Sequence, residues 1–415
     1  MPEPDRTGAF RVGVFVGYFV PAYRAGGPIR SVSAITAARD SDITYAVFTR
    51  DRDAGDAEPF PVARPGEVVE FRHRHVMYVD TSRRLAYLRA MRRFVRLDHD
   101  VYYFNSLWNR EFTLVPLTLM CLGLIARRPV LLAPRGELLS GALALKTRRK
   151  RVGLLALRFL LARLGATIHC TSTDEMDSIR RWLPGRPVEL VSVAFEPEEC
   201  VDAKQPGETA APSGALRVCF FSRIGPKKNL AGAIAAVGRV AEPVHLRVIG
   251  PVSDQAYYHH CQELVARLPR HVRVEFVGPV RHEDVAEALS WAQVFFLPTG
   301  GENFGHAIRE AMAVGLCPVI SDATPWTDLA RQAGGVALSW SDTDGFAEYL
   351  SLLARMSPQE LRALRTRVLD AYQAWLGSQV SSVALMDELF ARLAGRAVGP
   401  VVAEGGIGDR QAEHA

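Results

Sequence analysis

The 415-residue chain lacks the local sequences that mark several common classes of protein. It has six cysteines but no C-x-x-C pair, which argues against a disulfide framework and against a zinc site. Its longest apolar run, residues 112–126, contains Pro116 and is too short to span a bilayer. The first ten residues are acidic and lack the basic segment of a signal peptide. We therefore expect a cytoplasmic location with reduced thiols.

Motifs for redox cofactors, nucleotide hydrolysis and nucleic-acid binding are also missing. No G-x-G-x-x-G or Walker sequence follows a predicted strand, which disfavours dinucleotide-dependent redox chemistry and P-loop hydrolysis. Without a helix-turn-helix or an RNA-binding signature, no nucleic-acid partner is expected. Four D-x-D triplets stand without a metal-ligand cluster, so we expect neither a metal nor another cofactor; they are Asp40–Asp42, Asp51–Asp53, Asp98–Asp100 and Asp342–Asp344.

Lysine is scarce, and the charge is unevenly distributed. Only five of the 50 basic residues are lysines, and two of those are the adjacent Lys227 and Lys228. Residues 1–195 carry 30 basic and 19 acidic residues, a net charge of +11, whereas residues 196–415 carry 20 and 26, a net charge of −6. The N-terminal half therefore favours an anionic partner.

What is present is a regular alternation of short apolar runs and helix-length segments, interrupted once. Residues 196–214 are rich in proline, glycine, alanine and acid, which is typical of a linker. Buried parallel strands are predicted on both sides of it, at 12–19, 43–48, 101–104, 130–133, 167–170, 216–222, 244–249, 272–277, 293–297 and 317–320.

This pattern predicts an α/β protein with two facing, doubly wound, Rossmann-like domains and a cleft between them. The predicted domains are residues 1–195 and 215–377. A helical segment, 378–397, follows the second domain, and the tail 398–415 is expected to be disordered.

The strongest local signal is the segment 298–315, in which a strand ends, two glycines follow and a helix starts near Asn303–Gly305. Such a helix start suits an anion, phosphate above all. Glu302 and Glu310 are eight residues apart, about 12 Å along a helix, so they suit opposite ends of one extended ligand. The alternative is that Glu302 caps the helix and that Glu310 is a solvated face residue.

Three cations follow the first predicted strand of the same domain: Arg223, Lys227 and Lys228. Because the carboxyl ends of parallel strands share one edge, these cations are expected to face the same crevice as Glu302. Adjacent lysines in an arginine-rich chain are consistent with point charges for a phosphate. The alternative is that they cap the following helix or are merely solvated.

These residues together resemble the retaining, nucleotide-sugar-dependent glycosyltransferases of family 4, which have the GT-B fold. The element from Glu302 to Glu310, with a Phe-Gly pair after the first glutamate, is similar to the family's E-x7-E element. Arg223 and Lys228 match its R-x4-K diphosphate clamp, and Asn229 stands where the family usually has glycine.

The resemblance extends into the N-terminal half. Gly26 and Gly27 lie in a segment similar to the family's glycine loop, which reaches the donor phosphate; glycine permits that close approach. Residues 132–146 resemble a polysaccharide-assembly branch of the family. Many relatives carry histidine where this chain has Arg135, and the resemblance places Arg135 and Asn105 on the acceptor or sugar side.

The resemblance implies transfer of a sugar from a nucleoside-diphosphate sugar to a hydroxyl acceptor, with retention and without a metal. It implies that Arg223 and Lys228 stabilise the leaving diphosphate, that Glu302 orients the sugar hydroxyls and that Glu310 holds the ribose hydroxyls. The further donor-binding residues are Gly26, Gly27, Gly250, Asn303, Phe304 and Gly305.

The expected acceptor is a polysaccharide or a lipid-linked glycan. The alternatives are a small natural product as acceptor, a GT-B phosphorylase or epimerase, or a catalytically silent carbohydrate-binding protein. His306 and His169 receive no catalytic role. As in similar proteins, the C-terminal helix is expected to cross back to the first domain through Trp375, Val383, Met386, Leu389 and Phe390.

Two basic helices in the N-terminal half have two interpretations. One carries Arg148, Arg149, Lys150 and Arg151 at its start, and the other carries six arginines between residues 83 and 96. They either dock on an anionic membrane that holds a lipid-linked acceptor, which makes the protein peripheral, or present solvated faces over an apolar stripe.

Overall fold

The computed structural model describes residues 10–24, 27–37, 43–71, 74–138, 147–192, 214–378 and 381–396. Within them, the side chains of residues 147–152 and of His282 are not described.

The first sheet has eight strands in the order β3-β4-β2-β1-β5-β6-β7-β8, all parallel except β3, which is antiparallel to β4. The strands are β1 (Phe10–Phe15), β2 (Ile43–Arg50), β3 (Val68–Phe71), β4 (Arg74–Val79), β5 (Val101–Asn105), β6 (Val130–Ala133), β7 (Thr167–Cys170) and β8 (Val188–Leu190). Its helices are α1 (Gly27–Ile35), α2 (Arg84–Val95), α3 (Val115–Cys121, entered through a π-helical turn at Arg110–Leu114), α4 (Thr147–Leu164) and α5 (Thr173–Trp182).

The second sheet is wholly parallel, with the order β11-β10-β9-β12-β13-β14. Its strands are β9 (Leu216–Phe221), β10 (Val244–Ile249), β11 (Val272–Gly278), β12 (Val294–Leu297), β13 (Cys317–Ser321) and β14 (Val336–Leu338). The helices that follow are α6 (Leu230–Val237), α7 (Gln255–Val265), α8 (Val285–Ser290), α9 (His306–Ala313), α10 (Thr327–Gln332), α11 (Thr343–Ala354), α12 (Pro358–Gly377) and α13 (Ser382–Leu393), with 3-10 turns at Pro226–Lys228 and His282–Asp284.

The central strands form because their apolar side chains are buried on both faces of each sheet. Every residue of β5 and of β12 is buried, as expected for parallel strands with helices on either side. The first sheet has a separate apolar core on each face, and the second domain has one continuous core. The prediction of two facing, doubly wound α/β domains is confirmed.

The predicted bounds differ from the structure at several elements. Strands β6 and β7 match to the residue, but β1 ends at Phe15, four residues earlier than expected, because the chain then turns into the loop before α1. The prediction missed β3, β4, β8 and β14; β8 and β14 have only three residues each, too few for a periodic pattern. The proposed linker, apart from Gly214, and the proposed tail lie outside the described residues.

The C-terminal helix α13 packs on the first domain, whereas α12 stays with the second. Met386, Leu389 and Phe390 are buried in the core formed by β1, β2 and α1, and Val383 packs against it. Arg392 also forms an ion pair of 2.8 Å with Glu189. Our inclusion of Trp375 was wrong. Its indole packs on Trp326 and Tyr372 in the second domain, because Trp375 lies within α12.

Candidate functional site

A cavity of about 1180 Å³ lies between the two domains and is lined by residues that follow the central strands of both sheets. In the second sheet the strand order reverses between β9 and β12, and the loops after both strands line the cavity. Ligands of open α/β sheets bind at this kind of crevice. The cavity contains every described residue that we assigned to the donor or to the sugar side.

Backbone contacts join the loops after β9 and β12. The carbonyl oxygen of Lys227 accepts hydrogen bonds from Gly300 N, at 2.8 Å, and from Thr299 Oγ1, at 3.2 Å. The Lys228 ammonium forms an ion pair with the Glu302 carboxylate. The predicted cation cluster and the predicted glutamate element therefore lie together, because hydrogen bonds to the Lys227 carbonyl oxygen join their loops.

Lys228 and Lys227 differ in their partners. Arg223 and Lys227 have no ion-pair partner within the described ranges and line the cavity as uncompensated cations. Desolvation lowers the pKa of Lys227; Lys228 and Arg223 act in the same direction, whereas Glu302 opposes them. The capping alternative for the lysines does not hold, because the side chain that caps α6 is Asn229, which accepts from Gly232 N.

Glu302 does not cap helix α9. The N-cap is Gly305, with a left-handed φ of +86°, and it makes no side-chain capping bond. The backbone N–H of Glu302 instead donates to Ala323 O at 3.0 Å. Because Glu302 precedes the helix, which begins at His306, our estimate of about 12 Å along one helix does not apply to the pair Glu302 and Glu310.

Glu310 is not a solvated face residue either. Its side chain is 4% exposed, and its carboxylate forms an ion pair with Arg30 of helix α1 in the first domain. The two glutamates therefore occupy different environments: one is paired with a lysine of its own domain, and the other with an arginine across the cleft.

Two backbone positions explain why small or special residues stand beside the cavity. Gly250 has φ +142°, and a Cβ atom there would lie 2.1 Å from Ser222 O, so only glycine fits. Asn229 adopts the left-handed conformation, φ +57°, that glycine takes easily and asparagine tolerates. The asparagine thus keeps the conformation available to the family's usual glycine and adds a helix cap.

The glycine loop of the first domain approaches helix α9 of the second. A Cβ atom at Gly27 would lie 2.9 Å from His306 Cδ2, and Ser31 Oγ lies 3.2 Å from His306 Nε2. Gly26 lies outside the described residues. The loop itself is held by Asp53, whose carboxylate accepts from the backbone N–H groups of Tyr23 and Arg24.

Asn303 connects the domains on another side of the cavity. Its Nδ2 donates to Thr171 Oγ1 at 2.8 Å and to Glu175 Oε2 at 3.4 Å. Glu175 is fully buried and also accepts from the backbone N–H of Gly136, next to Arg135. Phe304 lines the cavity beside Asn303, and its ring packs against His306 at a centroid distance of 4.8 Å.

Arg135 and Asn105 are direct partners. Arg135 Nε and Nη2 donate to Asn105 Oδ1 at 3.1 and 2.9 Å, and Nη2 also donates to Tyr103 OH at 2.8 Å. Tyr103 in turn contacts His169 Nδ1 at 2.9 Å. His169 is buried, and its Nε2 donates to Val191 O. It is therefore linked to Arg135 through Tyr103 and does not line the cavity.

The D-x-D triplets have structural contacts where the structure describes them. Asp51 and Asp53 are both buried; Asp51 pairs with Arg52, and Asp53 holds the glycine loop. Across the described ranges, no group of three or more His, Cys, Asp or Glu side chains is placed to hold a metal ion. Metal independence remains a prediction.

The sequence reasoning missed Arg30 and Glu175. Both make contacts that are distant in sequence: Arg30 pairs with Glu310, 280 positions away, and Glu175 accepts from Asn303, 128 positions away. A lone arginine on an amphipathic helix carries no local signal of such a contact. Glu175 had a weak signal, because it also stands three residues after the N-cap Ser172 and reads as ordinary capping.

Comparisons with known proteins agree with this geometry. Residues 201–366 match the family model described as glycosyl transferases group 1. The chain is 30% identical over 197 residues to phosphatidyl-myo-inositol mannosyltransferase of Mycolicibacterium smegmatis, which covers 45% of this chain and 48% of that protein. It is 28% identical over 158 residues to O-antigen chain mannosyltransferase B of Escherichia coli, covering 37% and 40%. The chain thus spans less than half the length of these curated relatives.

Solved structures cover far more of the chain. Sucrose-phosphate synthase from Thermosynechococcus elongatus superposes with a TM-score of 0.70 at 20% identity, covering 93% of this chain and 99% of that one. Anabaena HepE, in complex with UDP and glucose, gives a TM-score of 0.65 at 17% identity, with the same coverage. WaaG, a glycosyltransferase involved in lipopolysaccharide biosynthesis, gives 0.63 at 14% identity, covering 92% and 100%.

The fold and the site therefore define a protein of the GT-B class. Within that class, the match to the glycosyl transferases group 1 model falls on the part of the chain that carries Arg223, Lys228, Glu302 and Glu310, the residues whose motifs indicated a glycosyltransferase.

Proposed function

We propose that the protein is a retaining glycosyltransferase that moves a sugar from a nucleoside-diphosphate sugar to a hydroxyl group. The observation that carries this proposal is the pair of joined loops after β9 and β12. They place three cations and Glu302 on one wall of the interdomain cavity, with the start of helix α9 beside them. A diphosphate matches this arrangement because it spreads negative charge over several oxygens.

The reaction leaves a diphosphate that must be stabilised as it departs. The bond between the anomeric carbon and the phosphate oxygen breaks, and its electron pair goes to the diphosphate. Arg223 and Lys228 supply positive charge at that point, and the N-terminus of α9 adds the helix dipole. We assign no carboxylate behind the anomeric carbon, so the proposed route is front-face: the acceptor hydroxyl attacks beside the leaving group and passes its proton to the departing phosphate oxygen.

The two glutamates position the donor. Glu310 is a buried residue of α9 that lines the cavity, and its ion pair with Arg30 holds the carboxylate where it can accept from ribose hydroxyls. Glu302 lies beside Lys228 and accepts from the hydroxyls of the sugar. Solved structures of the same fold support such a donor, since HepE is recorded with UDP-glucose.

A polysaccharide or lipid-linked glycan is the acceptor that we propose. The names of the relatives support it, because they specify O-antigen chain, phosphatidyl-myo-inositol and cellobiosyl-diphosphopolyprenol. We further propose that the protein works as a peripheral protein on the cytoplasmic face of a membrane.

Exposed apolar side chains on the first domain support membrane docking. In α2, Leu85 and Leu88 are exposed among arginines, while Tyr87, Ala90 and Phe94 of the same helix are buried in the core. A purely solvated face over an apolar stripe does not require these exposed leucines.

A second exposed patch lies on α4 and at the end of α3. Leu155 and Phe159, four residues apart on α4, are 64% and 68% exposed, and Leu122 and Leu124 are both 67% exposed. The two elements are in contact, since Cys121 Sγ lies 3.8 Å from Leu160 O. None of the helices that the structure describes has the length and apolar character needed to cross a bilayer.

The test is a panel of UDP- and GDP-sugars with the full-length protein, in which release of the nucleoside diphosphate is measured with and without a glycan acceptor. We expect release that depends on the acceptor, with the product linkage in the donor's anomeric configuration. Release of sugar phosphate, or of an epimer without acceptor, would instead identify a phosphorylase or an epimerase. Binding of sugars without any turnover would identify a carbohydrate-binding protein.

A further inference from the structure

Arg135 is a cation in the cavity that forms no ion pair with a carboxylate of the described residues. It follows strand β6 and lines the cavity wall that the first domain contributes. Two other cavity arginines differ in this respect: Arg30 pairs with Glu310, and Arg24 pairs with Asp56. Arg223 also lacks an ion-pair partner among the described residues, but it belongs to the second domain and to the wall assigned to the diphosphate. The nearby carboxylates of Glu137 and Glu175 accept from other groups. Glu137 accepts from Ser106 Oγ and from the backbone N–H of Leu107, and Glu175 accepts from the backbone N–H groups of Gly136 and Thr171.

The guanidinium of Arg135 is held in one orientation by neutral groups. Its Nε–H and both Nη2 hydrogens are taken by Asn105 Oδ1 and Tyr103 OH. The two hydrogens on Nη1 have no partner among the described residues. The backbone of Arg135 has φ +55°, an uncommon conformation for a residue with a side chain.

The direction of each hydrogen bond behind Arg135 follows from its neighbours. His169 Nε2 faces the carbonyl oxygen of Val191 and must donate to it. Burial, with the Arg135 charge as a second cause, lowers the pKa of His169 to about 3, so its Nδ1 is an acceptor. Tyr103 therefore donates its proton to Nδ1, and its oxygen can only accept from Arg135. This network orients the guanidinium without cancelling its charge.

The position of Arg135 in the cavity is set by a short bridge to the second domain. The N–H of Gly136 donates to Glu175, and Glu175 accepts from Asn303, the residue after Glu302. Arg135 therefore faces the end of the cavity at which our proposed function puts the sugar. The cations assigned to the diphosphate all come from the other domain.

We propose that Arg135 makes the site selective for an acidic sugar, one that carries a carboxylate or a phosphate on the ring held beside Asn105. The two free Nη1 hydrogens can donate charge-assisted hydrogen bonds to such a group, and an anion also supplies the ion pair that Arg135 lacks among the described residues. The acidic ring is either the transferred residue or the residue of the acceptor that receives it. The excess of positive charge in residues 1–195 is consistent with either source.

The experiment compares matched pairs of probes that differ in one acidic group. The donor arm uses UDP-glucose against UDP-glucuronate, and GDP-mannose against GDP-mannuronate. The acceptor arm uses methyl glucoside against methyl glucuronide, with binding measured by calorimetry in the presence of the nucleoside diphosphate that binds. We expect one arm to favour its acidic member by about 10- to 100-fold, the range of a charged hydrogen-bonded contact. The arm that discriminates identifies the source of the acidic ring.

The variants are Arg135→Gln and Arg135→Lys, with Arg128→Gln as the control, an arginine of the same domain that pairs with Asp98 and lies outside the cavity lining. We expect Arg135→Gln to lose the preference while keeping its affinity for the neutral probe and for the nucleotide. Arg135→Lys should retain part of the preference, and Arg128→Gln all of it. Thermal unfolding of each variant checks that the fold persists.

Two results overturn the inference. One is a parent protein that treats acidic and neutral probes alike in both arms. The other is an Arg135→Gln variant that weakens both members of a pair equally. The inference rests on the proposed function, but its failure is distinguishable: a protein that binds nucleoside diphosphate and transfers neutral sugars without discrimination refutes the role of Arg135 alone, whereas a protein that binds neither UDP nor GDP refutes the proposed function.

Discussion

Removal of the Lys228 ammonium tests the proposed leaving-group site most directly. Lys228 is an ion-pair partner of Glu302, and their side chains are 17% and 12% exposed. Lys228→Ala removes a charge that acts on the departing diphosphate, so the loss is expected in turnover more than in donor affinity. One electrostatic contact of this kind contributes about 3–4 kcal/mol of barrier, which corresponds to a fall of roughly two to three orders of magnitude in kcat.

The same substitution also has a structural cost that must be separated from the catalytic one. It leaves the Glu302 carboxylate without its partner in a mostly buried position, which costs about 1–3 kcal/mol of folding free energy. The double variant Lys228→Met/Glu302→Gln removes both charges. It should recover stability in urea unfolding while its kcat stays low.

The matched control is Arg239→Ala. Arg239 also pairs with a carboxylate of the same domain, Asp344, but both side chains are largely exposed and lie outside the cavity lining. Its loss should change stability by less than about 1 kcal/mol and leave turnover unchanged. Saturating-donor assays of nucleotide release, with calorimetry for donor affinity, measure both effects. A Lys228→Ala variant with kcat within threefold of the parent, or a double variant that recovers full turnover, would refute the reasoning.

Four further outcomes are expected. Glu310→Gln should weaken binding of the free nucleoside diphosphate and of the sugar donor by the same factor, about 10-fold in calorimetry, because it removes a contact remote from the reacting bond; unequal losses would contradict this. Asn229→Ala should lower the free energy of unfolding by about 2–3 kcal/mol through the lost cap and the left-handed backbone, whereas Asn229→Gly should cost less than 1 kcal/mol, as measured in urea. Burial holds the pKa of His169 near 3, so below about pH 6.5 the unfolded chain binds a proton that the folded protein excludes, and the free energy of unfolding should fall as the pH drops. His169→Gln should flatten that pH dependence. An unchanged slope would show that the dependence comes from other groups. Sedimentation with anionic vesicles should be strong at low salt, decline as salt rises and weaken in Leu155→Asp/Phe159→Asp, with donor binding intact; equal binding to neutral vesicles would remove the electrostatic contribution.

Much of the architecture follows from local sequence. The strands of both domains are short apolar runs because parallel strands are buried on both faces, and this signal located ten of them. The apolar pattern is absent where a strand is too short to show it, as in β8 and β14, or lies in a charged segment, as in β4. The loops after β9 and β12 were also identifiable, because glycines, adjacent lysines and spaced glutamates are local features.

Tertiary structure alone decided which partners those residues have. Glu302 with Lys228 and Glu310 with Arg30 are contacts over 74 and 280 positions, and no pattern along the chain specifies them. The same is true of Arg135, whose guanidinium is oriented by Tyr103 and Asn105 and, through Tyr103, by His169. Sequence determines which side chains stand at the strand ends because backbone geometry is local. Their pairing and their net charge depend on how two domains meet, because electrostatic contacts are set by distance in space and not by separation along the chain.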